Sequence, residues 1–381
     1  MADLQYHSSE CETKKDTYEE YNNLDFNINV GEGRVLVKNS VRFVCNLKVK
    51  DNGARAGGGV YFDHKCGIHA FIDSVQTSFT GGGSENLLGV KENIQNYPRY
   101  VAMSGIATKQ PEDYTNASNL CELKGFSWQT ADLLARGLNQ NADTRLTTGG
   151  DTTVLADIDA SMKPMCILNK MSGGNLPYSK SGNIRLTLNL AAARSALMGA
   201  GLNNAQDDYE ITNPRLTFHS LPDSGQEPQV VCRSVYAVKN SIVSNFANIQ
   251  AKVPNVCDSV SISFQQQSRE QVAPFSNYQC EKPRGLNKIQ FLFNDSTNQY
   301  ITYAIEDQTE MLQGFVDSFV DTGHNQVSIS TFDDNQSFGV GLTFNGFINL
   351  ANQKFGFQVE SKATNAFAYN CYMYFHSILT I

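Results

Sequence analysis

"DDYEITNPRLTFHSLPDSGQEPQV", residues 207–230, is a strand pattern that runs into a cluster of turn residues. Tyr209 and Ile211, then Leu216 and Phe218, alternate with polar neighbours as a half-buried strand does. Pro222, Asp223, Ser224, Gly225 and Pro228 follow, residues that favour turns and break strands. A second apolar stretch, "VVCRSVYAVKNSIV" (230–243), then begins. Residues 207–230 are therefore either a loop inside one domain or the seam between two. At 381 residues the chain exceeds what one hydrophobic core usually spans, so two domains are the default.

The same pattern extends on both sides. Upstream, "GRVLVKNSVRFVCNLKVK" (33–50) alternates through Val35 and Val37, then Val41, Phe43, Cys45, Leu47 and Val49. The break at Lys38–Ser40 shifts the phase, as a turn or bulge does. "HAFIDSVQTSF" (69–79), "DIDASMKPMCILNK" (157–170) and "GNIRLTLNLA" (182–191) read as further strands. Two short helices interrupt them. "ENIQNYPRYVAM" (92–103) places Ile94, Tyr97, Tyr100 and Val101 on one helical face, with Pro98 marking a start or a kink. "SWQTADLLARGLNQ" (127–140) repeats Leu134 and Leu138 four apart. Downstream the series starts over with "DSVSISFQQQ", "NKIQFLFND" and "QYITYAI". An amphipathic helix over 306–321 follows, acidic at its start in Glu306 and Asp307, as the helix dipole favours. "NQVSIST", "SFGVGLTFNG", "KFGFQVESK" and "AYNCYMYFHSILTI" finish the chain as strands.

Each half is thus a series of short strands with turn signals roughly every ten residues, the signature of a sandwich or barrel. Each half holds about seven or eight strands, the number a jelly roll needs. The expected fold is all-β: two jelly-roll sandwiches in tandem with a few short helices. The expected division is a flexible polar N-terminal arm over 1–25, a first roll over 26–220, a linker over 221–230 and a second roll over 231–381.

Composition narrows the function. Charged residues make up 18 %, below the usual quarter, and the net charge of −8 argues against broad adhesion to nucleic acid or anionic membrane. No run of 18 apolar residues occurs, and the N-terminus lacks the apolar core of a secretory signal. The nine cysteines, at 11, 45, 66, 121, 166, 232, 257, 280 and 371, form no CxxC pair and read as reduced.

No motif carries chemistry. "TGGGSENLLG" (80–89) lacks the Gly-Lys-Ser/Thr and the helix of a phosphate cradle and reads as a hairpin. "FDHKCGIH" offers Asp63, His64, Cys66 and His69 but no second ligand pair at zinc spacing. Asp157 with Asp159, and Asp333 with Asp334, are acid pairs of the kind glycosidases use, yet adjacent acids at strand ends are commonly solvated turns. There is no G-x-S-x-G elbow and no basic-aromatic interleaving. No catalytic, cofactor-binding or metal-ligating residue is assigned, no cofactor is expected, and the chain reads as a structural or recognition protein rather than an enzyme.

Four stretches carry a family resemblance: "GIHAFIDSVQTSFTGGGSENLLGVKENIQNYPRYVAM" (67–103), "NLPYSKSGNIRLTLNLA" (175–191), "YEITNPRLTF" (209–218) and "FGVGLTFNGFINLANQKFGFQVESK" (338–362). In their order of strands, loops and short helix they resemble the double jelly-roll major capsid proteins of double-stranded DNA viruses, those of virophages and polinton-like viruses above all. The resemblance covers about residues 26–381, and the chain is short for that family. It implies a homotrimeric, pseudo-hexagonal capsomer that self-assembles into an icosahedral virion. The implied partners are neighbouring capsomers, penton and minor capsid proteins, without direct nucleic-acid binding. Two alternatives stay open. One is a single jelly-roll penton protein; the other is a cellular carbohydrate-binding jelly-roll protein, which needs an aromatic platform that the lone Trp128 does not supply.

Overall fold

The computed structural model of the chain describes residues 3–51, 61–62, 66–81, 88–108, 153–154, 158–198, 208–225, 229–252, 256–272, 277–293, 304–305, 307–319, 338–349, 354–362 and 368–380. Up to Gly225 the strands are β1 (Gln5–Glu10), β2 (Asn23–Ile28), β3 (Arg34–Leu36), β4 (Arg42–Asp51), β5 (Tyr61–Phe62), β6 (Ile72–Phe79) and β7 (Gly89–Gln95). Helix α1 (Tyr97–Thr108) follows. Then come β8 (Thr153–Val154), β9 (Ile158–Met162), β10 (Met171–Gly173), β11 (Leu176–Pro177), β12 (Ile184–Leu190), β13 (Leu197–Met198) and β14 (Asp208–Pro222). Beyond Gly225 lie β15 (Val230–Ile242), β16 (Phe246–Lys252), β17 (Val256–Gln266), β18 (Leu286–Phe293) and β19 (Ala304–Ile305). Helix α2 (Gln308–Asp317), β20 (Val340–Asn349), β21 (Lys354–Ser361) and β22 (Tyr369–Thr380) complete the order.

The opening stretch shows how sequence sets register. In β14 the inward residues change from odd numbers (Tyr209, Ile211) to even ones (Leu216, Phe218), and all four are buried. Side chains alternate with period two, so this change needs one extra residue. A register shift between Thr212 and Arg215 supplies it, with Asn213 at φ +50°, a conformation asparagine tolerates. The break at Lys38–Ser40 works similarly. β3 pairs with Ser220–Pro222 and β4 with Asp208–Thr217, so both lie on the same side of β14 as one interrupted strand.

Two sandwiches result. β14, β4, β3, β9 and their neighbours form a seven-stranded sheet. It faces the β2-β12-β6-β7 part of a nine-stranded sheet, and Phe43 meets Phe26 and Phe71 with ring centroids 6.0 Å apart. The other part of that nine-stranded sheet, β15-β22-β17-β20, faces the four-stranded sheet β16-β21-β18-β19. Phe264 on β17 meets Phe357 on β21 at 6.0 Å, and Phe375 on β22 meets Phe355 at 5.2 Å. Eight cysteines lie among the described residues, all buried and unbridged, as small apolar fillers.

Three expectations need correction. The N-terminal segment is not a free arm: β1 pairs with β14 from Gln5↔Ser220 to Glu10↔Arg215, and Cys11 and Tyr18 are buried. Its physical reason is an open edge. β14 on one sheet and β2 on the other would both expose unpaired backbone, and the segment lies between them, with Glu12 N–H donating to Asp25 O at 2.8 Å. The helix expected over 92–103 starts only at Tyr97, with Pro98 in its first turn, and Ile94 belongs to β7. The strand expected over 157–170 ends at Met162 and gives way to a helical turn at Ile167–Asn169. The helix expected over 127–140 falls outside the described residues.

α2 matches the amphipathic reading of 306–321 over its central part. Asp307 caps it, its carboxylate accepting from the N–H groups of Thr309 at 2.7 Å and Glu310 at 3.3 Å. Met311, Phe315 and Phe319 are buried beneath it. The helix lies close on β20 because Gly314 faces Gly341: a Cβ on either would stand 2.5 Å from the other's carbonyl oxygen. Gly314→Ala should therefore destabilise the fold by about 1–3 kcal/mol of overpacking, although alanine is the better helix former by about 1 kcal/mol. Urea titration measures it; a stabilised Gly314→Ala would show that the helix is free to lift away.

Candidate functional site

The motifs weighed in the sequence do not converge on a reactive centre. Cys66 and His69 are both buried, and His69 Nδ1 is bonded to the Tyr97 hydroxyl at 2.8 Å. Asp63 and His64 lie outside the described residues, as do Asp157, Asp333, Asp334 and Trp128. Asp159 stands on β9 opposite Asn46. Among the described residues no three His, Cys, Asp or Glu side chains cluster as metal ligands. A groove of about 630 Å3 lies between residues 10–18, β4 and β14, lined by Glu10, Lys14, Lys15, Asp16 and Arg215 among others. Three of its charges are engaged locally: Lys14 pairs with Glu10 at 3.2 Å, and Lys15 Nζ donates to Asn22 Oδ1 at 2.7 Å.

The chemistry that stands out is structural and lies where the two sandwiches meet. The nine-stranded sheet crosses from one to the other at a parallel bridge, Asn93 on β7 with Tyr236 on β15, beside the three residue pairs that join β10 to β15. Buried charges complete the junction. Glu92, on β7, is buried. It accepts from Ile167 N–H at 2.6 Å and from Val235 N–H on β15 at 3.2 Å. Lys170 Nζ lies 3.6 Å from the same carboxylate and 4.7 Å from the centroid of the Tyr100 ring. Burial pushes the Glu92 carboxyl up, while Lys170 and the two backbone amides pull it back toward the charged form.

Arg99, in the first turns of α1, is the second charge and is fully buried. Its guanidinium reaches into the second sandwich and donates to the carbonyls of Gln279 at 3.0 Å and Asn277 at 2.5 Å and to the Gln265 side chain. It stacks 4.0 Å above the centroid of Tyr372 on β22. Tyr100 beside it packs against Tyr374, His376 and Phe319, and the Tyr374 hydroxyl donates to Asn96 O at 2.9 Å. β7 and α1 of the first half thus act as a plug in the second.

The sequence carried one signal for this plug. Glu92 and Ile94 share a face at period two, and Ile94 is an inward strand residue, so Glu92 had to point inward too. Nothing in the pattern marked Arg99. On the outside, exposed apolar side chains include Leu88 and Val90 at the start of β7 and Val243 and Phe246 at the β15–β16 turn. The parallel bridge places these two pairs toward opposite ends of the strands.

Comparison with solved structures matches this arrangement over the whole chain. A chain of the Sputnik virophage, from a cryo-EM structure at 3.5 Å, is similar with a TM-score of 0.63 at 10 % identity, covering 99 % of this chain and 86 % of that one. The Faustovirus major capsid protein gives a TM-score of 0.58 at 7 % identity, covering 100 % and 91 %. The mavirus major capsid protein gives 0.54 at 9 % identity, covering 99 % and 90 %. The fold is the double jelly roll. At such identities the shared property is the fold itself. No protein-family model matches the chain, and no curated protein matches its sequence. Within this double jelly roll, the Glu92–Val235 and Arg99–Tyr372 contacts join the two rolls.

Two outcomes are expected. Glu92→Gln leaves the Lys170 cation without its counter-charge and should cost about 3–5 kcal/mol, while Glu92→Gln combined with Lys170→Met should recover part of that loss. A double-variant loss equal to the sum of the Glu92→Gln and Lys170→Met losses would mean the pair is not coupled. Second, His69 and His376 are buried neutral: burial pushes both down to about 3, and Lys170 and Arg233 add to the effect at His376. Unfolded histidines bind a proton near pH ~6.5, so stability is full above that pH. It should fall as pH drops toward 3, by up to ~1.4 kcal/mol per pH unit per histidine. Urea midpoints between pH 7.5 and 5 measure this slope, and a flat profile would contradict the neutral assignment.

Proposed function

We propose that this protein is the structural major capsid protein of an icosahedral virion and not an enzyme. Three chains form a pseudo-hexameric capsomer. The observation that carries this reading is the double jelly roll itself, two sandwiches side by side in one chain, matched end to end with proteins described as the major capsid proteins of Faustovirus and mavirus. Three such chains supply six rolls, which approximates a hexagon and tiles a closed shell. A junction held by buried charges suits that role, because a capsomer needs its rolls fixed at one angle. The partners are then two further copies of the chain, neighbouring capsomers, and penton and minor capsid proteins. With a net charge of −8, direct nucleic-acid binding is not part of the reading.

The division into a first roll (26–220), a linker (221–230) and a second roll (231–381) belongs to the same proposal. It is supported by β14 and β15 lying in different sheets on either side of the exposed residues Ser224 and Gly225. The two rolls are separate sandwiches but not separable bodies, since β10 and β7 of the first pair with β15 of the second.

Light scattering on the purified chain tests the assembly. Three chains of 42.1 kDa give a particle of about 126 kDa, expected to form hexagonal arrays in negative stain. A stable pentamer favours the penton alternative, and a monomer that binds glycan favours the carbohydrate-binding one; either overturns the capsomer. Proteolytic nicking near Gly225 tests the division. Two fragments should appear under denaturing conditions while the nicked protein keeps its native mass and its cooperative melt. Unfolding of either half after the cut would refute the placement of the linker.

A further inference from the structure

The edge that β1 closes is held without a single buried β1 side chain. Six residue pairs join β1 to β14. The best-anchored is His7, whose ring lies stacked on Phe218 with centroids 5.1 Å apart and planes 9° apart. Its Nε2 stands 2.7 Å from the Oγ of buried Ser220. Arg34 Nε donates to that same oxygen at 2.8 Å, and with the ring neutral and Nε2 bare the hydroxyl proton of Ser220 turns to His7. That hydrogen bond requires a neutral imidazole with Nε2 unprotonated.

The charges around the ring oppose its protonation. Arg34 reaches it from β3 and His219 from β14. The nearby carboxylate of Asp3 is engaged with Arg34 at 3.6 Å, and Glu10 at the far end of β1 pairs with Lys14. Burial, then Arg34, then His219 hold His7 below its ordinary value.

We propose that β1 is an acid-released strap with His7 as its catch: protonating the ring removes the acceptor of the Ser220 hydroxyl and sets a cation against Arg34 and His219, freeing the strand from the β14 edge while the sandwich stays closed. The sign follows from linkage. A base disfavoured from protonating in the docked state binds its proton more readily when undocked. Docking is therefore complete above pH ~6.5 and weakens as pH falls below it. This inference is independent of the capsid reading, since it concerns one strand of one chain.

Hydrogen exchange on the full chain at pH 7.5 and 5.5, corrected for intrinsic rates, tests it. Amides of residues 5–10 should lose protection, by at most about tenfold at one pH unit below the free imidazole value, while those of β22 lose less. His7→Gln offers an acceptor to Ser220 without titrating and should keep β1 protected at both pH values. Equal protection of β1 at both pH values overturns the strap, as does a parallel loss in β22, or a full loss that persists in His7→Gln. Should His7→Gln undock β1 at both pH values, the NMR titration of the His7 ring in the native chain decides. A midpoint below ~6.5 supports the strap, and one at or above it overturns the strap.

Discussion

Two charges buried between sandwiches are the constraint on which the rest of this structure depends. A buried carboxylate or guanidinium is costly unless it is paired and hydrogen-bonded. Glu92 finds its partners on β15 and at the Ile167 turn, and Arg99 finds them at Gln265, Asn277, Gln279 and Tyr372. Those partners come from different rolls, so satisfying the charges fixes one roll against the other. Apolar packing alone tolerates sliding; directional hydrogen bonds to backbone atoms do not. Specificity of mutual placement, more than stability, is what this junction contributes.

Edges pose the second problem. A sandwich of open sheets leaves unpaired strands, and several edges here are treated in different ways. The N-terminal segment runs along β14 and touches β2. β7 and β15 remove two edges at once by meeting each other. α2 lies on β20, close enough that only glycine fits at Gly314 and Gly341. These devices share one physical aim, which is to leave little backbone free to pair with a stranger.

The fold class was legible because alternation survives in the sequence wherever one face is buried. β12 shows it cleanly, with Ile184, Leu186, Leu188 and Leu190 all buried. β14 shows it across a bulge that the odd-to-even change announces. The N-terminal strand was illegible because "QYHSSE" buries no side chain and so shows no apolar alternation. Helix α1 was misplaced by a few residues because Ile94 fits a helical spacing and a strand spacing equally well. The junction was the least legible part. Arg99 sits among tyrosines whose pattern reads as a helix face, and the carbonyls that receive it lie some 180 residues further on.

The position of β22 has a consequence for how the chain is made. It runs between β15 and β17, matched to β15 from Val231↔Thr380 to Ile242↔Tyr369, yet it follows every other strand in sequence. During synthesis the strands around it emerge first and must wait with their inner faces uncovered. The first sandwich waits in the same way for β14, its last strand, which pairs with β1, β3 and β4 and ends at Pro222. The ribosome thus delivers one roll that can close first and a second that stays open until its own central strand arrives. In that interval the apolar faces of β15 and β17 are the surfaces a chaperone has to guard.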